Sequence, residues 1–200
     1  MPRQRLDGER TRSLVLKGAQ SVFAERGYDG ASIKVIAERS GVSQSLILHH
    51  FKDGKLQLWD EIKLGAVQIF SSAFDVLKRD TMINEALVKE GFYAYFQFCV
   101  TNPELMKIGL WVRVTEGTSE DWGGEGEIFS HLIEFAQRAQ SLGILRDDIP
   151  AFDLLMIYSG AVKSWIFDGQ HFLDVTAAQV DRQDKDEVFF NSAYQLVAST

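Results

Sequence analysis

The stretch ASIKVIAERSGVSQSLILHHF, Ala31 to Phe51, holds two short apolar-periodic runs separated by a glycine. Ser32 can cap a first helix that buries Ile33, Ile36 and Ala37 while Lys34, Glu38 and Arg39 face out. Gly41 stops that helix. Val42 anchors the turn, and Ser43 is placed to cap a second helix, Gln44 to His50, held by Ile47 and Phe51 one turn apart. This is the layout of a helix-turn-helix, and the major groove of B-DNA, about 12 Å wide, admits one helix if a partner braces it. An arbitrary pair of packed helices has the same spacing, so geometry alone leaves both readings open. The outward residues of the second helix, Gln44, Ser45, Leu46, Leu48, His49 and His50, favour the groove. Leucines are costly on a solvated face, yet apolar side chains at such positions meet thymine methyls.

Outward from this stretch the apolar spacing stays helical, with no sustained alternation of the strand kind, so an all-α protein of about nine helices is expected. Upstream, Val15, Ala19, Val22 and Phe23 line one face of a helix from about Glu9 to Arg26, stopped by Gly27. Downstream, helices are expected over Lys55–Arg79, Ile83–Val100, Asn102–Trp111, Glu127–Ser141, Pro150–Phe167 and Glu187–Val197. The glycine-rich segment Glu116–Glu127 reads as a loop. It is acidic and lacks a P-loop lysine, so it does not cradle phosphate.

Charge divides the chain. The first 55 residues carry ten Lys/Arg and six acids, a net of +4, whereas the remainder carries −11, which brings the whole chain to −7. A basic end that would face a polyanion is therefore hidden inside an acidic whole. Two domains are expected, residues 1–54, which hold the helix-turn-helix, and residues 55–200. A single Cys99 cannot form an internal disulfide, and the start has no apolar signal region, so the sequence points to the cytoplasm. The most apolar stretch, Ala151–Phe167, is broken by Asp153 and Lys163 and falls short of the roughly 20 residues of a spanning helix, which excludes a membrane partner.

At this point the sequence resembles the TetR family of bacterial transcriptional regulators. The matching elements are Phe23-Ala24-Glu25-Arg26-Gly27-Tyr28, Ala31-Ser32 before Ile36-Ala37, Gly41-Val42-Ser43, and His49-His50-Phe51 before Lys55 and Leu58. The run from Ala139 to Asp148 is similar to the turn before the family's dimerisation helices. The resemblance implies base-facing Gln44, Ser45, Leu46 and Leu48, and phosphate contacts from Ser32, His49, His50 and Lys55. It also assigns ligand binding and dimerisation to residues 55–200. Two positions depart from it: Leu48 stands where the family commonly has tyrosine, and Lys55 lies four residues after Phe51 instead of three.

Other residues carry weaker signals. Phe92, Tyr95, Phe96 and Trp111 read as core, or, as the resemblance implies, as the lining of an effector pocket in which Arg113 pairs an acidic group. The helix Pro150–Phe167 is apolar nearly all round and must be buried nearly all round. Phe152, Leu155, Tyr158, Val162 and Trp165, with Phe189, Phe190 and Tyr194 of the last helix, are therefore expected at a homodimer interface or in a central core. Glu127, His131 and Glu134 share a helix face. They offer a metal three ligands, but an exposed face with Arg138 pairing Glu134 is the preferred reading, and no metal or cofactor is assigned. No catalytic constellation is present. The expectation is a dimeric, ligand-responsive repressor acting on a double-stranded DNA operator, with an unknown small-molecule effector. The alternatives are an activator, an effector-independent regulator, or a helical ligand-binding or enzymatic protein with a vestigial helix-turn-helix.

Overall fold

A computed structural model describes residues 2–75, 82–115, 125–175 and 184–199. Among them there is no strand, and one isolated antiparallel bridge joins Leu145 to Ala198. The helices are α1 (Pro2–Arg26), α2 (Ile33–Ser40), α3 (Gln44–His50), α4 (Lys55–Ala73), α5 (Glu85–Thr101), α6 (Pro103–Thr115), α7 (Glu125–Ser141) and α8 (Ala151–Ser164). A π-helical turn, Trp165–Gly169, carries α8 directly into α9 (Gln170–Val175), and α10 is Lys185–Gln195. With the continuous run Ala151–Val175 taken as one, the described residues hold nine helices. The architecture is all-α.

Most boundaries fall within a few residues of the sequence reading. α1 starts at Pro2, ahead of the expected Glu9, over a polar stretch with no apolar stripe for periodicity to register. The expected end of the fourth helix at Arg79 and residues 116–124 of the expected loop lie outside the described residues.

The chain packs as two compact units, Met1–Gln68 with Asn102–Gly123, and Ile69–Thr101 with Gly124–Thr200. In the first, Val15, Ala19, Val22 and Phe23 of α1 meet Ile36, Ile47, Phe51, Leu58 and Trp59, and α6 adds Leu105, Ile108 and Val112 to the same core. α1 and α2 cross so closely that a Cβ on Gly18 would stand 2.8 Å from the Ser40 Cβ, so only glycine fits there. Arg39 fixes the crossing from outside, reaching both carboxylate oxygens of Glu25 at 2.7 and 2.8 Å and holding that carboxyl below its ordinary range. α6 is tied to α1 by the Gln20 amide donating to Glu104 (2.9 Å) and by the Trp111 indole, which donates to the Ala24 carbonyl (3.3 Å) and lies against Gly27.

In the second unit α8 turns Ala151, Leu154, Tyr158 and Val162 inward. Tyr158 sets its ring edge-on to Phe92 at 4.7 Å and donates its hydroxyl to the Phe92 carbonyl at 2.9 Å. Phe190 and Tyr194 of α10 close on the same aromatic face of α5, with Phe190 5.7 Å from Phe96 and Tyr194 5.6 Å from Phe92. Tyr158, Val162, Phe190 and Tyr194 therefore belong to the chain's own core and not to an outer surface. The reason is that α5 supplies enough aromatic area to cover the inner sides of both helices. Trp165 and Phe189 also serve internally, stacked 4.6 Å apart at 11°, with the indole donating to Asp186 (2.9 Å). Between α7 and α8, Arg146 grips Asp148 through both carboxylate oxygens, and backbone bonds from Arg146 to Val197 and from Ser199 to Ile144 tie the C-terminal segment to this turn.

Candidate nucleic-acid interface

The site is built on α2, α3 and the start of α4. Ser32 caps α2, its Oγ accepting from the Val35 amide at 3.3 Å, and Ser43 caps α3 by the same bond from Leu46, also 3.3 Å. Gly41 takes the left-handed conformation at φ 70° that the tight turn needs, and its amide closes α2 on Ala37. These local bonds account for the helix-turn-helix directly from Ser-x-x and Gly positions.

α3 is then fixed by one deep anchor. Ile47 is fully buried, as is Phe51 immediately after the helix. The 100° advance per residue then sends Ser45 and His49 directly outward, flanked by Gln44, Leu46 and Leu48. All five are exposed, and the leucines keep 41% and 46% of their surface in solvent. Leu48 leans partly against Gly54, which places its methyl groups near the turn. His50 is half-buried beside Gly8 of α1. Its ring meets that of His49 edge-on at 5.4 Å. Ser32 is exposed at the start of α2.

Lys55 is positioned differently. Its ammonium donates to the carbonyls of Tyr28 (3.0 Å) and Ala31 (3.2 Å) and sits 4.1 Å from the centre of the Tyr28 ring. It therefore holds the α1–α2 loop in this structure. The four-residue spacing from Phe51 leaves its backbone at the first turn of α4.

The aromatic candidates are divided between the two units. Phe92 and Phe96 are buried and Tyr95 half-buried in the second unit, beside Cys99, whose thiol is pushed up to about 11 by burial, an effect that a Tyr95 hydrogen bond partly opposes. Trp111 and Arg113 belong to the first unit, with the indole taken up by Gly27 and Ala24 and the guanidinium exposed, donating to the Gly109 carbonyl at 3.1 Å. Sequence reasoning missed two rings that extend the second unit's cluster, Phe70, 5.2 Å from Phe98, and Phe129, 5.7 Å from Phe70. Their signal was the buried stripe Ala66, Val67, Phe70 and Phe74 along α4. Glu127, His131 and Glu134 are exposed, and among the described residues no three His, Cys, Asp or Glu side chains form a metal-holding group. No helix among the described residues is long and apolar enough to cross a membrane.

Comparison with known proteins agrees with this geometry. The sequence pattern of "Bacterial regulatory proteins, tetR family" matches residues 15–62, which run from the middle of α1 to the first half of α4. The chain is 26% identical over 157 residues to the HTH-type transcriptional repressor AcnR of Corynebacterium diphtheriae, covering 74% of each chain. It is 32% identical over 94 residues to the HTH-type transcriptional activator FasR of Mycolicibacterium smegmatis, covering 47% of this chain and 42% of that one. Its fold matches the crystal structure of a TetR family transcription regulator from Marinobacter aquaeolei VT8 with a TM-score of 0.67 at 17% identity, over 99% of this chain and 100% of that one. With its capped helix-turn-helix in residues 32–51 and all-α remainder, the chain carries the DNA-binding domain of the tetR family and is a DNA-binding transcriptional regulator, not an enzyme.

Proposed function

We propose that the protein is a homodimeric repressor that reads a palindromic operator with α3 of each subunit and releases it when a small-molecule effector binds. Residues 1–54 carry the DNA contacts, and residues 55–200 carry effector binding and dimerisation. The observation behind the DNA reading is the outward face of α3. Gln44, Ser45, Leu46, Leu48 and His49 are presented to solvent over a fully buried Ile47, and Ser32 and His50 flank them. In this arrangement Gln44 bonds an adenine edge, the leucines meet thymine methyls, and Ser32, His49, His50 and the N-terminal turn of α4 at Lys55 take phosphates.

Dimerisation rests on the outer face of α8, where Phe152, Met156 and Ile157 keep 55%, 52% and 46% of their surface in solvent, with Gly160 beside them and Leu155 half-buried at the edge. Three large apolar side chains on one helix face favour a second copy over water. The effector meets the second unit's aromatic cluster around Phe92, Tyr95 and Phe96. Repression is supported by the repressor named above, and work on DNA places the protein in the bacterial cytoplasm.

The test is selection of binding sites by the full chain from random-sequence duplexes, followed by transcription in vitro from a promoter carrying the selected site. An enriched inverted repeat and falling transcript support the reading. Rising transcript assigns an activator, and no enrichment rejects operator recognition.

A further inference from the structure

Arg12 of α1 does more than decorate a basic surface. Its Nη1 donates to the His50 carbonyl at 2.8 Å, its Nη2 donates to the Glu61 carboxylate at 2.6 Å, and its guanidinium lies 4.3 Å from the centre of the Phe51 ring. One side chain thus spans α1, the last residue of α3, the residue after it, and α4. Glu61 is itself held by the Gln57 amide at 2.9 Å, and Gln57 accepts from the Asp53 amide at 3.4 Å. These bonds enclose the whole turn from His50 to Lys55.

The His50 carbonyl is one of the last-turn acceptors that a helix leaves without an internal partner, and a cation there also complements the helix dipole. α3 has seven residues, so its orientation depends on its ends. Ile47 anchors its middle, and Arg12 fixes its C-terminal end, next to His49 and His50. Both terminal nitrogens of Arg12 are thereby engaged by the protein's own acceptors. An exposed ion pair alone stabilises a fold little, so the value of this arrangement lies in geometry.

We propose that Arg12, held by Glu61, is a positioning residue for DNA recognition, setting the angle at which α3 meets the groove without itself touching DNA. This rests on the reading of α3 as the recognition helix. The experiment uses the full chain, a duplex it selects from random-sequence DNA, and a scrambled duplex of the same composition. Arg12→Ala should lower affinity for the selected duplex about tenfold or more, as expected when a charged hydrogen bond is lost. Affinity for scrambled DNA and the slope of log affinity against log salt should stay unchanged. Glu61→Gln, which keeps an acceptor for Arg12, should show a smaller loss of the same kind. Equal losses on both duplexes, with the slope reduced by about 0.9 per contact removed, would make Arg12 a phosphate contact and overturn the proposal. Equal tightening of Glu61→Gln on both duplexes would overturn it too, as would unchanged discrimination in either folded variant. If Arg12→Ala does not fold, Glu61→Gln decides alone. Gln44→Ala, run alongside, separates the two claims. Loss of discrimination there but not at Arg12 or Glu61 removes only the positioning role, whereas no effect at any of the three removes the reading of α3.

Discussion

At the residue scale, the exposed positions of α3 divide by chemistry. Gln44 is the one outward side chain on α3 that can bond an adenine at two points. Gln44→Ala should therefore cost about 1–3 kcal/mol on the selected site and relax preference at one base pair per half-site. Binding measured against a panel of single-base variants checks this, and equal weakening on every sequence would reduce Gln44 to a backbone contact. Cys99 behaves as a buried thiol. Its folded pKa of about 11 exceeds the ordinary 9.0, so its contribution to stability is complete below 9.0 and is lost as pH rises toward 11. Alkylation of Cys99 at pH 8 should accordingly be slow in the native protein and fast in denaturant, as mass spectrometry would read. Tyr158→Phe removes the 2.9 Å bond to the Phe92 carbonyl, which keeps its place in the α5 ladder, and should destabilise the fold by about 0.5–1.5 kcal/mol in thermal unfolding.

At the element scale, the helices were legible where function and packing share one periodicity. Ser32, Gly41, Ser43 and Ile47 each announce their structural duty by residue type and spacing, and the structure gives each the cap, turn or anchor it suggested. α8 was less legible. Apolar residues on both faces signal two burial events without saying which face turns inward, and the answer depends on the aromatic face of α5, whose Phe92 lies 66 residues from Tyr158 in sequence. Tyr158 and Val162 went inside, leaving Phe152, Met156 and Ile157 out. Lys55 was illegible for a related reason, since its hydrogen-bond acceptors, the carbonyls of Tyr28 and Ala31, depend on how α4 packs on α1. The exposed face of α8 gives a direct prediction. Phe152→Glu or Ile157→Glu should yield folded monomers in sedimentation velocity that bind the palindrome weakly. Substitution of Trp165 or Phe189, which stack on each other, should damage the fold first. A dimer that survives both α8 substitutions would move the interface elsewhere.

At the scale of the whole molecule, the charge division carries the functional consequence. The basic first 55 residues and the acidic remainder leave a polyanion one attractive end, and the helix-turn-helix lies within it. If an effector lowers operator affinity, reciprocity requires the operator to lower effector affinity by the same factor, typically 5- to 150-fold, and calorimetry with and without saturating operator would show it. The most direct test of the central claim is the stoichiometry and salt dependence of the full chain on the duplex it selects from random-sequence DNA. The account predicts an inverted repeat with half-sites about 34–36 Å apart or a multiple of that. It further predicts chains bound in pairs and log affinity falling linearly with log salt by about 0.9 for each phosphate neutralised. A single chain bound to a non-repeated site, or affinity indifferent to salt, would contradict it.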